Sequence, residues 1–455
     1  MKKIAIIGGG FSALNLAWRL SNSSINEDLD INIFEKENYL GGMAAGFKNK
    51  NWDWTLEKHY HHLFAKDKAF KDFLKSLGLE NQLFYKKTIS RTRSSGVNYQ
   101  LDSIFSLLTF KQLSIIDRLR TGLVLAFLKV LPNGQFLEKY KAGQFLRKGM
   151  GNKSWQIIWQ PLFESKFAAW TEEINMAWFW ARIQPRTPKL GYVEGGFQVL
   201  IDQIQAKLLE KGVKIHLNQE IKKININDKK SSNNSHISLD FKSSVKGQGK
   251  IKKEKFDLLI STLPSSKFKQ ILELPELKSK NLKGLAAMTL VLSLKESFLK
   301  DGTYWLNINE KNWPFVAAVE HNNFIDKKHY NNQSLLYLGK YLPATDHFFK
   351  STAKEVLEFY LPFLRQINPE IDQSIIDYRL SKDAFAQPLV PINHSEHLPS
   401  MRTSHSSIYW VSMQHIYPYD RGINQAVHSS NQLFEIIKED LAKLSYFCYS
   451  VRDDF

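Results

Sequence analysis

A three-glycine turn set between a strand and a helix constrains this chain more than any other feature of its sequence. Residues 3–7 (Lys-Ile-Ala-Ile-Ile) form a short apolar, β-branched run, the pattern of a buried parallel strand. They lead into Gly8-Gly9-Gly10-Phe11-Ser12-Ala13, which fits G-x-G-x-x-A at Gly8, Gly10 and Ala13. Leu14, Ala17 and Trp18 then mark one face of a helix. Gly8 permits a tight turn, Gly10 lets backbone approach a pyrophosphate, and Ala13 keeps the helix close to the strand. The helix N-terminus, at Phe11 and Ser12, faces the negative phosphates. A second strand, 31–34, ends at Glu35, followed by Lys36. A carboxylate there accepts hydrogen bonds from ribose hydroxyls. Strand, turn, helix and carboxylate together predict a dinucleotide site.

The rest of the composition narrows the class. At 455 residues, 43% hydrophobic and 24% charged, the chain is an ordinary globular one of two or three structural units. One cysteine, Cys448, excludes an intramolecular disulfide, a multi-thiolate zinc site and an iron–sulfur cluster held by this chain alone. A cytoplasmic address fits that count. The net charge of +17 comes mostly from dispersed Lys in a chain also rich in Asn and Ile. Its densest stretch, 242–255, reads as a solvated hairpin tip with Gly247 and Gly249. No C2H2 spacing or RNP-like aromatic signature occurs, so no nucleic-acid partner is expected. Met1-Lys2-Lys3 before an apolar run imitates a signal peptide, but the glycines break the run and Arg19 follows without a convincing cleavage site. No run of about 20 uncharged apolar residues exists to span a membrane.

Soon after Glu35 comes Gly41-Gly42-Met43-Ala44-Ala45-Gly46-Phe47. A second glycine pair beyond the ribose-binding carboxylate is not needed for NAD. With the first turn, it resembles the fingerprints of the FAD-dependent amine oxidase and protoporphyrinogen oxidase superfamily. The second run there is typically Gly-Gly-Arg; Met43 replaces the Arg here and leaves the backbone role to Gly41 and Gly42. The resemblance covers nearly the whole chain. Leu190-Gly191-Tyr192-Val193-Glu194-Gly195-Gly196-Phe197 precedes an expected helix over 199–211 and a strand over 212–218, and the resemblance implies that Ile221 contacts adenine. Residues 257–264 resemble the strand and turn that return to the cofactor. A strand over 408–412, a loop over 413–419 and a helix opened by Gly422-Ile423-Asn424 match the family's last helix, which points at the flavin end of FAD. Ser412 and Met413 replace the usual Gly-Asp or Gly-Glu. The resemblance thus implies an α/β chain with a discontinuous Rossmann-like FAD-binding domain (1–63, 189–283 and 400–455). An α+β substrate domain (64–188 and 284–399) is inserted into it, mainly helical in its first part and strand-rich in its second.

The substrate side is read from clusters. His59 and His61, in Glu57-Lys58-His59-Tyr60-His61-His62, share one face of an extended segment, which the resemblance carries past the flavin. They are candidate proton acceptors; core histidines are the other main reading, and no metal is expected. Glu320, closing the apolar run 314–321, is a third candidate acceptor, with Tyr337 and Tyr341 as companions. Trp155, Trp159, Trp170, Trp178 and Trp180 read mainly as core. Arg182 and Arg186, just beyond, serve either ion pairs or a carboxylate or phosphate. No G-x-S-x-G or P-loop occurs. Lys295, closing a strand beside Glu296, is a poor match for the Lys that amine-oxidising members place near flavin N5.

The expected activity is therefore hydride transfer from an apolar or cyclic small molecule to FAD. A non-redox flavoenzyme resembling UDP-galactopyranose mutase is one alternative. A membrane-associated FAD-containing binding protein is the other. Residues 104–131 carry more apolar surface than one amphipathic stripe needs. Peripheral contact with anionic lipid is expected there, through Lys111, Arg118, Arg120 and Lys129. Nothing in the pattern sets an oligomeric state.

Overall fold

The computed structural model describes residues 2–23, 29–227, 236–245, 249–278 and 283–450, with residues 444–450 as backbone alone. The hairpin tip expected around Gly247 falls on 246–248, outside the described residues.

The chain opens with β1 (Lys2–Ile7), α1 (Phe11–Ser21) and β2 (Leu29–Phe34). β1 is central in a five-stranded, wholly parallel sheet. Its order is Lys214–His216, β2, β1, Leu258–Ser261, Ile408–Trp410, with Ile4 opposite Ile31 on one side and Leu258 on the other. Strands from the start, middle and end of the chain thus share one sheet. Alternation divides β1 between two cores. Ile4 and Ile6 pack with α1 and the helix Ile423–Ser450. Ala5 and Ile7 pack with Phe34 and a three-stranded antiparallel layer, Gln219–Asn227, His236–Ser243 and Lys252–Phe256. Both faces are covered, as a parallel sheet requires. The α/β class and Rossmann-like start are as the sequence implies.

A seven-stranded sheet forms the second layer. Its order is Ile375–Pro388, Gly284–Leu294, Ser334–Leu342, Ala317–Glu320, Thr303–Ile308, Ile89–Ser94, Val97–Gln100. Leu290, Leu292, Leu336 and Leu338 face the helix Ala353–Arg365, which supplies Val356, Tyr360 and Leu364 at four-residue spacing. Thr289, Gly339 and Tyr341, on the alternate face, look into a cavity. The helices Ile115–Val130, Gln160–Phe167 and Met176–Ile183 close that cavity, and with Ala142–Met150 they surround a core of Phe163, Phe167, Trp178 and Trp180.

Two local expectations shift. Residues 64–188 are not only helical: a hairpin, Ile89–Ser94 and Val97–Gln100, extends the large sheet. Its turn residues Ser95 and Gly96 both have positive φ, 51° and 79°, as a two-residue hairpin loop demands. The helix expected from residue 199 begins at Phe197, because the Glu57 carboxylate accepts the Phe197 N–H at 2.9 Å. This cap comes from another part of the chain, so the local pattern does not contain it.

Candidate active site

The carboxyl ends of the parallel strands open into a cavity of about 1920 Å³. That is about twice the upper end of the ~300–1,000 Å³ usual for one small ligand. Gly8, Gly9 and Gly10 form one end of it. Gly8 donates to Phe34 O at 2.9 Å and has φ +101°, and a Cβ on it would stand 2.4 Å from Thr262 Oγ1. Gly10 differs: its φ of −79° suits any residue, and a Cβ there would meet nothing within 4 Å. Gly10 also caps α1 without a side-chain acceptor. The first amides of α1 therefore point into an open cradle, which is how helix N-termini receive phosphate.

The second glycine pair folds onto the first. Gly41 N donates to Gly9 O at 2.8 Å, and a Cβ on Gly42 would lie 3.3 Å from Gly10 Cα. Glu35 closes the same end: Oε2 accepts Gly9 N–H at 2.7 Å and Oε1 accepts Glu37 N–H at 3.0 Å. Burial raises its pKa, and these amides counter the shift. Each oxygen keeps lone-pair capacity for a hydroxyl. Lys36, Met43, Ile221, Met413, Gly422, Ile423 and Asn424 line the cavity too. Ala13 does not; it is fully buried against the sheet, the close-packing place its residue type requires.

The histidine segment crosses the cavity, but its members have different freedom. His59 is buried, with Nδ1 2.7 Å from Thr289 Oγ1 and Nε2 2.8 Å from Asp383 Oδ2. Both ring nitrogens are taken, so His59 offers no free proton-accepting site. His61 Nδ1 lies 2.7 Å from the His59 carbonyl. A carbonyl only accepts, so this nitrogen carries the hydrogen and Nε2 keeps its lone pair. Burial lowers the His61 pKa to about 4, so the ring is neutral at pH 7.

Glu320 is a correction. It is fully buried and does not line the cavity. Its Oε2 accepts the amides of Phe298 and Leu299 at 2.9 and 3.1 Å, and burial raises its pKa to about 7. An apolar strand carrying one carboxylate turned it toward the amides of an earlier turn, at Phe298 and Leu299, not toward the cavity. Tyr337 likewise faces inward and donates to Glu57 O at 2.9 Å. Tyr341 does reach the cavity, beside Tyr60, Trp305 and Trp159. Lys295 is absent from it.

Among the lining residues that sequence reasoning missed, Tyr60, Lys166, Asp420 and Arg421 stand out. Tyr60 stacks edge-on to Trp305 at 4.9 Å. Lys166, Asp420 and Arg421 meet Arg182 at the inner end, where Asp420 Oδ2 lies 2.6 Å from Arg182 Nη1. These groups lie far apart along the chain, and only the neighbouring Gly422 hinted that 420–421 would face a site. Among the described residues, no three His, Cys, Asp or Glu side chains converge as metal ligands.

A family model described as flavin containing amine oxidoreductase matches residues 14–432. Among solved structures, a protein assigned as protoporphyrinogen oxidase from Exiguobacterium sp. 255-15 superposes with a TM-score of 0.73. Identity is 16%, over 96% of this chain and 99% of that one. A reduced UDP-galactopyranose mutase gives 0.72 at 15% identity, covering 96% of each chain. Putrescine oxidase bound to putrescine gives 0.69 at 15%, covering 96% and 99%. At such identities the likeness is one of fold. No curated protein matches the chain in sequence.

Proposed function

Because the chain belongs to the flavin-containing amine oxidoreductase family, we propose that it is an FAD-dependent oxidoreductase drawing hydride from a small apolar or cyclic substrate. The open cradle over Gly10 carries the cofactor half of this reading: it is shaped for an anion and continuous with a chamber large enough for a second molecule. Gly8, Gly10 and the amides of Phe11 and Ser12 would hold the pyrophosphate, with Glu35 on the adenine ribose and Lys36 at its rim. Ile221 would meet the adenine. Gly41, Gly42, Met43, Met413, Gly422, Ile423 and Asn424 would hold the flavin half, with Ala13 seating α1 behind the turn. The cofactor unit is assigned to 1–63, 189–283 and 400–455, and the substrate unit to 64–188 and 284–399.

Bound FAD supplies the hydride acceptor. His61 takes a proton at Nε2, on a lone pair that its own hydrogen bond to the His59 carbonyl leaves free. His59 is a positioning residue: Thr289 and Asp383 fix its ring, and its carbonyl orients His61. Tyr60, Trp159 and Trp305 exclude water. Anaerobic mixing of the purified holoprotein with cyclic and apolar candidates should bleach the visible flavin band, and denaturation should release FAD. A colourless protein that binds NAD instead refutes the reading. Turnover that needs reduced flavin but consumes no acceptor would assign the mutase-like alternative.

A membrane contact is the second part of the proposal. Ile115, Leu119, Leu123 and Phe127 form an exposed stripe at four-residue spacing, joined by Ile104, Phe105 and Val130, and Leu123 and Phe105 are 71% and 82% exposed. Such a contiguous apolar face marks an interaction surface. The cavity lining reaches it through Ile104, Leu107, Leu125 and Ala126. The proposed occupant is an anionic lipid surface, met by exposed Lys111 and Arg120. The cation set expected for this role is revised. Arg118 and Arg120 also tie down the carbonyls of Leu113, Leu108, Gly149 and Lys148, and Lys129 turns inward to those of Ile183, Gln184 and Arg186. Among the described residues no helix is long and apolar enough to cross a membrane.

A further inference from the structure

We infer that the inner end of the cavity binds an anionic group of the substrate, a carboxylate or a phosphate ester, and rejects alkylammonium. The inference rests on the oxidoreductase reading only in taking the cavity to hold substrate beside FAD.

Three cations, Lys166, Arg182 and Arg421, line that end against one carboxylate, Asp420, and a fourth, the solvent-exposed Arg186, lines the same cavity near Arg182. Asp420 is already committed: its Oδ2 lies 2.6 Å from Arg182 Nη1 and 3.5 Å from Lys166 Nζ. Burial works to raise its pKa, but Lys166, Arg182 and Arg421 outweigh it and keep the carboxyl ionised. That single carboxylate is shared, because Lys166, Arg182 and Arg421 all draw on it. Arg421 donates to neutral partners, Gln387 Oε1 at 2.9 Å and the Tyr341 hydroxyl. Arg186 has no ion-pair partner among the described residues. Lys166, buried against the Trp178 ring at 4.9 Å, has its pKa pushed well down, by burial first and then by Arg182. Burial and the neighbouring guanidinium groups there outweigh the Asp420 carboxylate that Lys166 shares. Holding like charges together in an apolar setting is costly unless something neutralises them. An incoming anion does so, and planar guanidinium groups match carboxylate or phosphate oxygens in pairs.

The cofactor's own phosphates are the competing source. They are accounted for at Gly10 and the N-terminus of α1, on the parallel sheet. Lys166, Arg182 and Arg186 stand on or just beyond the helices Gln160–Phe167 and Met176–Ile183, in a different part of the molecule. An amine substrate would bring a further positive charge to this set.

The test uses holoprotein at constant ionic strength with three probes: adipate, inorganic pyrophosphate and 1,6-diaminohexane. The readouts are the visible flavin spectrum, tryptophan fluorescence and Tm. Adipate or pyrophosphate should perturb the spectra saturably and raise Tm, and the diamine should do neither. A response to adipate alone assigns a carboxylate, and one to pyrophosphate alone a phosphate ester. Arg186→Met, which breaks no ion pair, should weaken anion binding at least tenfold with FAD content unchanged. Loss of FAD with the anion response intact would assign the charges to the cofactor and overturn the inference. So would an equal response to diamine and diacid, or none to either anion. A protein without FAD that anions still stabilise would instead overturn the oxidoreductase reading and leave the anion site standing.

Discussion

Gly10→Asp separates what the glycine turn does for the cofactor from what it does for the fold. Gly10 has extended φ and ψ, −79° and 176°, and a Cβ there touches nothing within 4 Å. It is also the N-cap of α1, a position where Asp is among the best residues and gains up to a few tenths of a kcal/mol over Gly. The apoprotein should therefore keep its Tm or gain slightly. The new carboxylate, however, enters the cradle assigned to the pyrophosphate. Two like charges about 4 Å apart repel by about 4 kcal/mol at an effective dielectric near 20. At about 1.4 kcal/mol per tenfold, FAD affinity should fall roughly a thousandfold. Gly8→Ala is the contrasting control. A φ of +101° and a 2.4 Å approach to Thr262 Oγ1 make it a fold-damaging change, costing about 1–2 kcal/mol for backbone strain and about 1–3 for overpacking. The assay is FAD titration of apoprotein by visible absorbance, with melting curves of each variant with and without FAD. Near wild-type FAD affinity in Gly10→Asp would show that no phosphate sits on this turn. A collapsed apoprotein Tm in the same variant would refute the open-cradle geometry.

Three further outcomes follow from the site and its surroundings. His61→Ala should slow flavin reduction by about 10²-fold or more, the size of a general-base contribution, with little change in Tm. His59→Ala should lower stability by about 1–3 kcal/mol, because two side-chain hydrogen bonds are lost at about 0.5–1.5 each; reversed behaviour of the pair would reverse their assignments. Burial raises the Glu57 pKa to about 7, so the folded protein holds a proton there that the unfolded chain releases near 4.5. That contribution is present below about pH 4.5 and is lost as pH rises through about 7. The Tm of wild type relative to Glu57→Gln should accordingly fall across that window, and a gap that stays flat or widens would disprove it. Wild type should co-sediment with anionic vesicles at low salt and release at high salt. Leu123→Glu and Phe127→Glu, both at exposed positions, should stay in the supernatant; if they pellet equally, the dispersed lysines are responsible instead.

The division between what the sequence revealed and what it concealed follows the reach of the interactions. Gly8, Gly10 and Glu35 were legible as neighbours at one end of the cavity because a strand, a turn, a helix and a second strand in unbroken succession already bring them together. The Ser95-Gly96 hairpin was equally local, a Ser-Gly pair between alternating residues, and passed unnoticed only beside stronger helical patterns. His59 is another matter. Its Nε2 is held by Asp383, on the strand Ile375–Pro388, and nothing near His59 announces that partner. The same holds for Glu320, whose partners Phe298 and Leu299 lie beyond the preceding strand, Thr303–Ile308, and for Lys129, which spends its charge on three carbonyls. The inner end of the cavity is the extreme case. The Asp420 carboxylate, just before the C-terminal helix, meets Lys166 and Arg182 only because the helical insertion packs back onto the parallel-sheet unit. A phosphate can be bound by a short stretch of backbone amides, so its site is written locally. A substrate group has to be surrounded by side chains from several elements, so its site exists only after folding. That is why this sequence declares its cofactor and why the chemistry of its substrate has to be read from the charges that the fold assembles.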